Sequence, residues 1–296
     1  MESGALATDS SDDGHHLPDR LGHALGHVVD LAGAVAPSFM SPTDLNERQQ
    51  AFLVWLDQQE LPRSSLYDCP YLPNRQALQY GFASEALDAD LYHALMDRGF
   101  RRSGQIFYGM DCPDCQACMP IRVPVATFRA SKSQRRTARR NQDVRVEFAA
   151  PKFRDDSFEL YQRYLRHQHP DTPQDESEAS FRDMLYADVV DSLEARYFVD
   201  ERLIGVSLLD VSSQSLSAVY HFFEPELRER RIGVFSVLAE IEHARQLQIP
   251  HYYIGYWVRN AKTMQYKADY GPNEVLVSGN WAADYATRDG DDINSS

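Results

Sequence analysis

Between residues 195 and 223 three apolar runs follow one another almost without a gap. They are Ala195 to Val199, Leu203 to Val211 and Leu216 to Phe223. Only Asp200-Glu201 and Ser212-Ser213 mark the joins, so the pattern predicts three successive strands linked by tight turns. The flanking segments narrow the choice of fold further. Val144 to Phe148 alternates as a strand, and Phe158 to His167 and Phe181 to Val190 read as two helices. A helix over Val234 to Leu247 comes next. It is followed by a strand at His251 to Gly255, a short helix from Ala261 to Ala268 and a last strand at Val275 to Val277.

The resulting order, β-α-α-β-β-β-α-β-α-β, is that of the acyl-transfer fold of the N-acetyltransferase superfamily. It predicts an α+β chain. An N-acetyltransferase-like (GNAT) acyltransferase domain, 143–285, is preceded by a smaller Cys-containing α/β domain, 45–142. In that first block Asn46 to Gln59 and Leu87 to Arg98 have helical spacing, with Gly99 as the stop of the second. Cys69-Pro70-Tyr71-Leu72-Pro73 reads as a turn-rich loop. Gln105 to Tyr108 and Met119 to Val125 read as short strands, and Ser131 to Asn141 as a very basic helix. Residues 1–44 and 286–296 read as polar tails, since a run such as Asp12-Asp13-Gly14 cannot pack a core. His23 and His27 have the i, i+4 spacing of a helical metal pair, but read more simply as part of a short surface helix.

Cys112, Cys115 and Cys118 stand at C-x-x-C-x-x-C spacing just ahead of the basic helix. Three of the four cysteines within seven residues are too crowded for an ordinary disulfide framework. Reduced thiols in a cytoplasmic chain are therefore expected. With Cys69 as a fourth ligand the set would suit a structural zinc ion or an iron–sulfur cluster; packed or reactive thiols are the other reading. No apolar run approaches the roughly 20 residues of a membrane span, so no membrane partner is expected. Residues 129–145 hold seven Lys and Arg side chains against one acid, Asp143, in a chain of net charge −14. That segment carries +6, which leaves −20 on the remainder. A basic stripe kept on so acidic a chain predicts a polyanionic partner, and RNA fits best. Lys132, Arg135, Arg136, Arg139 and Arg140 are the candidate contacts; a solvated helix face is the plainer alternative.

Several separated motifs agree with one family. Asp97-Arg98-Gly99-Phe100-Arg101-Arg102-Ser103-Gly104 resembles the D-R-G-[WF]-R-R-S-G signature of aminoacyl-tRNA–protein transferases. Ser131-Lys132-Ser133 resembles the S-K-S element of the same family. Ile254-Gly255-Tyr256-Trp257 and Lys262-x-Met264-x-Tyr266-Lys267 resemble its G-Y-[WY]-[IV] and K-M-x-Y-K segments, although Thr263 interrupts the usual K-M pair. The resemblance spans about residues 65–280. The run from Cys112 to Arg122 looks most like the bacterial branch, the aspartate/glutamate leucyltransferases. That branch moves leucine from leucyl-tRNA to proteins that begin with Asp or Glu, marking them for the N-degron (N-end rule) pathway. The eukaryotic branch moves arginine and carries an adjacent cysteine pair instead.

What the resemblance implies is aminoacyl transfer from an ester to an α-amine. The ester is already activated, so no nucleotide triphosphate and no cofactor is needed for the chemistry. The α-amine, with a reference pKa of roughly 7.7–8, is partly neutral at cellular pH. The resemblance implies catalytic roles for Tyr256, Tyr266 and Lys267, and acceptor binding by a cation among Arg101, Arg102, Lys262 and Lys267. Arg230, Arg231 and Gly233 precede the helix near Val234, where the acyltransferase fold offers backbone N–H groups to the donor's phosphates. Here tRNA phosphates or ribose would replace coenzyme A; an ordinary capped helix is the alternative. Three other functions stay open at this point: an arginyl-tRNA–protein transferase, a coenzyme A-dependent N-acetyltransferase, and a tRNA-binding module without turnover.

Overall fold

The computed structural model describes residues 44–168 and 177–287. The expected tails, residues 1–44 with His23 and His27 and residues 286–296, lie outside the described residues except for Asp44, which caps the first helix, and Ala286 and Thr287, which end in a 3₁₀ turn.

Helix α1, Leu45–Asp57, starts where the Asp44 carboxylate accepts the Asn46 amide at 2.8 Å. Short strands β1, Tyr67–Asp68, and β2, Gln76–Ala77, pair antiparallel across the Cys69–Pro73 loop. Strand β3, Gln79–Ala83, leads to α2, Ala89–Asp97, capped by Asp88. Helix α2 stops as its sequence predicts. Gly99 takes φ +92°, and the Phe100 amide reaches back to the Leu95 carbonyl, which satisfies an orphan acceptor. Strands β4, Arg101–Ser103, and β5, Ile106–Met110, complete a three-stranded sheet in the order β3-β5-β4.

Strand β6, Met119–Pro124, then leaves this block for the main sheet. Helix α3, Lys132–Arg140, opens on a capping box. The Ser131 hydroxyl accepts the Gln134 amide at 3.3 Å, and the Gln134 side chain accepts the Ser131 amide at 2.8 Å. After it come β7, Val144–Ala149, α4, Asp155–Gln168, and α5, Glu178–Leu185. The meander follows as β8, Ser192–Val199, β9, Arg202–Val211, and β10, Ser215–Phe223. A 3₁₀ turn, Pro225–Arg230, precedes α6, Ile232–Gln246. The chain continues through β11, His251–Trp257, α7, Lys262–Gln265, a 3₁₀ turn at Tyr266–Asp269, β12, Glu274–Val277, and β13, Asn280–Ala283.

The eight-stranded sheet runs β13-β12-β6-β11-β10-β9-β8-β7. Every pair in it is antiparallel except β10 with β11. All nine residues of β10 are buried, as are eight of the ten in β9, so the middle of the sheet is covered on both faces. Leu160, Tyr161 and Tyr164 of α4, Phe181 of α5 and Val237, Ile241 and Ala244 of α6 supply that cover. A second core joins Phe52, Leu95, Phe100 and Phe107 to Tyr253 of the main sheet. The parallel pair is the signature of the fold. Its pairing ends after Ser217 opposite Tyr253, yet β10 runs on to Phe223 and β11 to Trp257. The two strands splay, as in the N-acetyltransferase-like acyltransferase fold that the element order predicts.

Five details differ from the sequence reading. The helix expected to reach Val190 ends at Leu185, because Val189 and Val190 turn away to fill the second core. Strand β11 continues past Gly255 to Trp257, and the helix expected over Ala261 to Ala268 divides into α7 and a 3₁₀ turn. Strands β1 to β4 and β13, each five residues or fewer, were not foreseen. Strand β6 precedes residue 142 in the chain, yet it is bonded on both sides to strands from beyond residue 143. Among the described residues no helix is long and apolar enough to cross a membrane.

Candidate active site

The splay between β10 and β11 is filled by a side chain from outside the sheet. Arg101, on β4, reaches in and donates to the Ser217 hydroxyl at 3.0 Å and to the Ala218 carbonyl. Both strands are irregular here, with register shifts between Ala218 and Tyr220 and between Tyr253 and Gly255. Gly255 holds φ +103°, and the space a side chain would need is taken. A Cβ there would lie 3.3 Å from Lys267 Nζ and 3.8 Å from the Arg101 guanidinium. Lys267 comes from the 3₁₀ turn after α7 and donates to the Tyr256 carbonyl at 2.9 Å. Burial, with the neighbouring Arg101 charge, pushes its amine down to about 7. Lys267 is 3% exposed and Arg101 8%.

Tyr256 forms the wall beside this pair. Its hydroxyl donates to the Gly99 carbonyl at 2.9 Å, which ties the D-R-G segment to β11. Burial holds its phenol well above the ordinary range, so it acts as a neutral donor. Tyr266 is half-buried and meets Tyr270 edge-on at 6.5 Å, against the main core. Lys262 is exposed at the start of α7. Arg102 points elsewhere. Its Nε donates to Asp210 at 2.9 Å, a terminal nitrogen completes a bidentate pair with that carboxylate, and the other nitrogen donates to the Gly104 carbonyl at 2.8 Å. An acceptor carboxylate at Arg102 would have to displace Asp210, so the geometry argues against that assignment.

The four cysteines converge. Cys69, Cys112, Cys115 and Cys118 line one cavity of about 20 Å³ together with Tyr71, Tyr108 and Tyr256. That is room for about one water-sized body. All four thiols are free and half-buried. Burial pushes the Cys118 thiol up to about 12. The donor set suits a thiophilic ion, but among the described residues no three candidate ligands already stand in ligating geometry. Cys112, Cys115, Cys118 and Tyr256 also line a wider groove of about 640 Å³, whose other walls carry Arg98, Asp111, Asp114 and Leu276.

The basic segments form one surface. Lys132, Arg135, Arg136, Arg139 and Arg140 are all exposed, while Gln134 and Thr137 face inward. Helix α3 docks on the start of α6. Arg231 donates to Ser133 Oγ at 3.0 Å, Asn141 to the Arg230 carbonyl at 2.8 Å, and Arg140 to the Glu229 carbonyl. Arg230 pairs with Asp143 through two bonds of 2.9 and 2.8 Å, which neutralises the single acid of the basic run. Arg231 sits in the left-handed region at φ 55° as the N-cap of α6, and no side chain caps that helix. A Cβ at Gly233 would have its nearest neighbour, Phe223 Cε1, at 3.8 Å, so the glycine keeps the helix end approachable. Since α6 follows the C-terminal end of β10, this surface lies at the open mouth of the splay.

Sequence reasoning missed Ser217, Ala218 and Tyr108. The first two are hidden in an apolar strand and matter only because Arg101 reaches them. It also missed the Arg122 hub. Arg122 donates to Asp97 at 2.8 Å, Tyr253 at 3.1 Å and Glu274 at 2.7 Å, and lies 4.0 Å over the Trp281 ring. This hub clamps the end of α2, and so the D-R-G segment, onto the main sheet.

Comparison with known proteins agrees with the geometry. Sequence models of the N terminus and the C terminus of arginine-tRNA-protein transferase match residues 67–136 and 156–277. The chain is 39% identical over 233 residues to the aspartate/glutamate leucyltransferase of Pseudomonas savastanoi pv. phaseolicola, covering 76% of this chain and 99% of that protein. The chain belongs to the aspartate/glutamate leucyltransferase family. The leucyltransferase of Thiobacillus denitrificans is 37% identical over 219 residues, 73% of this chain and 91% of that one. The two matched segments meet in space as well as in family. Arg101 lies in the first and Lys267 in the second, and both border Gly255.

Proposed function

We propose that this leucyltransferase-family chain moves leucine from leucyl-tRNA to the N-terminal Asp or Glu of acceptor proteins, in the cytoplasm, and so marks them for degradation. The observation that carries the reading is the splayed β10–β11 gap, with Arg101 and Lys267 inside it and a basic surface at its mouth. The tRNA acceptor stem lies along α3 and the start of α6. Lys132, Arg135, Arg136, Arg139 and Arg140 meet phosphates, and the Arg230–Gly233 turn meets the terminal nucleotides. The aminoacyl ester then enters the gap. The acceptor's α-amine loses a proton and attacks the ester carbonyl. The C–N bond forms, the ribose oxygen leaves with a proton, and no enzyme nucleophile is required. Tyr256 presents a neutral phenol beside this path, Tyr266 stays the other candidate phenol, and positioning supplies most of the rate.

The cysteine cavity belongs to the same proposal as a structural metal site. An ion held by Cys69, Cys112, Cys115 and Cys118 would brace Tyr71, Tyr108 and Tyr256 without entering the chemistry. Elemental analysis of anaerobically purified protein tests this, with Cys112→Ser expected to lose metal content and thermal stability together. Zinc and iron far below stoichiometry, with four freely titratable native thiols, would remove it.

The activity is tested with labelled leucyl-tRNA and arginyl-tRNA and with peptides that begin with Asp, Glu, Arg or Ala. Leucine should pass to the Asp and Glu peptides without ATP or acetyl-CoA. Transfer from acetyl-CoA alone, or from arginyl-tRNA alone, would overturn the reading.

A further inference from the structure

Glu240, in the middle of α6, is a buried acid without a cation. It is 2% exposed, and among the described residues no Arg or Lys pairs with its carboxyl. Three hydroxyls serve it instead. Ser207 donates to Oε1 at 2.6 Å, Tyr197 donates to the same oxygen at 3.0 Å, and Tyr252 donates to Oε2. Ser207 Oγ also stands 2.8 Å from His221 Nδ1. The single Ser207 proton goes to Glu240, so His221 must donate its Nδ1 proton to Ser207. Burial raises the Glu240 carboxyl, and the hydrogen bonds from Ser207, Tyr252 and Tyr197 offset part of that rise. Tyr197, Ser207, His221 and Tyr252 stand on β8, β9, β10 and β11, which are neighbours in the sheet. Well-packed apolar side chains often hold such strands with no loss of stability, so the network's distinct contribution is one fixed arrangement of them.

The place of the network tells what it fixes. Tyr252 lies opposite Leu216, one residue before the β10–β11 pairing ends. His221 lies beyond that end, on the free arm of β10, opposite Ser207 of β9. The carboxyl therefore bonds β11 at the base of the fork and, through Ser207, the β9–β10 side that carries the other arm. The two cations inside the gap do not join the arms: Arg101 bonds β10 groups, and Lys267 bonds a β11 group. We propose that Glu240 is a positioning residue for the transfer, which sets the distance between the two arms of the β10–β11 fork. This rests on the transfer reading above, in which ester and amine meet in that gap. A misplacement of about 1 Å there costs roughly a hundredfold in rate. Glu240 acts through the strands and touches neither substrate.

Glu240→Met removes the tie with a side chain of similar length. In the full chain it should lower kcat for leucyl-tRNA and a peptide beginning with Glu about ten- to a hundredfold, leave both KM values within about twofold, and keep or raise the unfolding midpoint. Tyr252→Phe cuts only the β11 bond and should reproduce the loss of kcat. The double variant should be no worse than either alone. Glu240→Gln keeps an oxygen for Ser207 and Tyr197, and its amide can donate to Tyr252, so it should recover most of the kcat. Wild-type kcat in Glu240→Met would overturn the proposal. So would a loss carried in KM, or a loss that follows falling stability and is not rescued by Gln. Should Glu240→Met fail to fold, Tyr252→Phe and Glu240→Gln decide by the same criteria. Hydrogen exchange judges the fork without turnover. The amides of residues 219–223 and 255–257 should exchange about tenfold faster in Glu240→Met and Tyr252→Phe than in the wild type. Unchanged exchange there would sink the tie even where kcat falls. If the wild type transfers no leucine while exchange responds as stated, the proposed activity has failed and the tie has stood.

Discussion

Neighbouring arginines with the same side chain have opposite fates here, and the strand between them is the reason. Successive residues in a strand point to opposite faces. On β4, Arg101 therefore enters the β10–β11 splay while Arg102 enters the body of the protein and meets Asp210. No spacing rule in the sequence shows which of the pair does which, because β4 is only three residues long and carries no apolar alternation. The distinction predicts different phenotypes. Arg102→Ala leaves Asp210 buried and unpaired, and removing one partner of such a pair typically costs about 3–5 kcal/mol. It should lower the denaturation midpoint and cut transfer to Asp, Glu and Gln peptides alike. Normal stability with selective loss on acidic peptides would instead return Arg102 to the acceptor site.

Helix α3 looked in the sequence like a solvated face or an RNA contact, and its packing serves both needs. The capping box and the inward Gln134 and Thr137 fix the helix; of its exposed basic side chains, Arg135 and Arg140 each also donate to a backbone carbonyl, of Ala130 and Glu229. The order of elements from β7 to β12 was legible because each long run has a clear period. Strands β1 to β4 and β13 were not, since two to five residues give little period to read; β5 and β12, no longer, were read from their apolar runs. Nor could the sequence show that α3 and the start of α6, about ninety residues apart, would join through Arg231 and Ser133. Glutamine substitutions at Arg135, Arg136, Arg139 and Arg140 should leave thermal stability nearly unchanged. Each lost phosphate contact should lower the log–log salt slope of tRNA binding by about 0.7–0.9. Filter-binding titrations across salt would show this; an unaltered slope would make α3 a solvated face after all.

At the scale of the whole molecule the two matched family segments are interlocked, not strung in line. Strand β6 lies between β11 and β12, and the Arg122 hub bonds Asp97 on one side and Glu274 on the other. Fragments 44–142 and 143–287 produced separately should each be poorly soluble and lack cooperative unfolding, and should recover both on co-expression. Two independently folding fragments, by calorimetry, would contradict that arrangement. The same insertion sets a timetable for synthesis. Strand β6 leaves the ribosome about 130 residues before its partner β11 exists, an interval of roughly 6–26 s at ordinary elongation rates. Throughout it the nascent chain carries an apolar strand with both edges open, and a holding chaperone has its natural client in that half-made sheet.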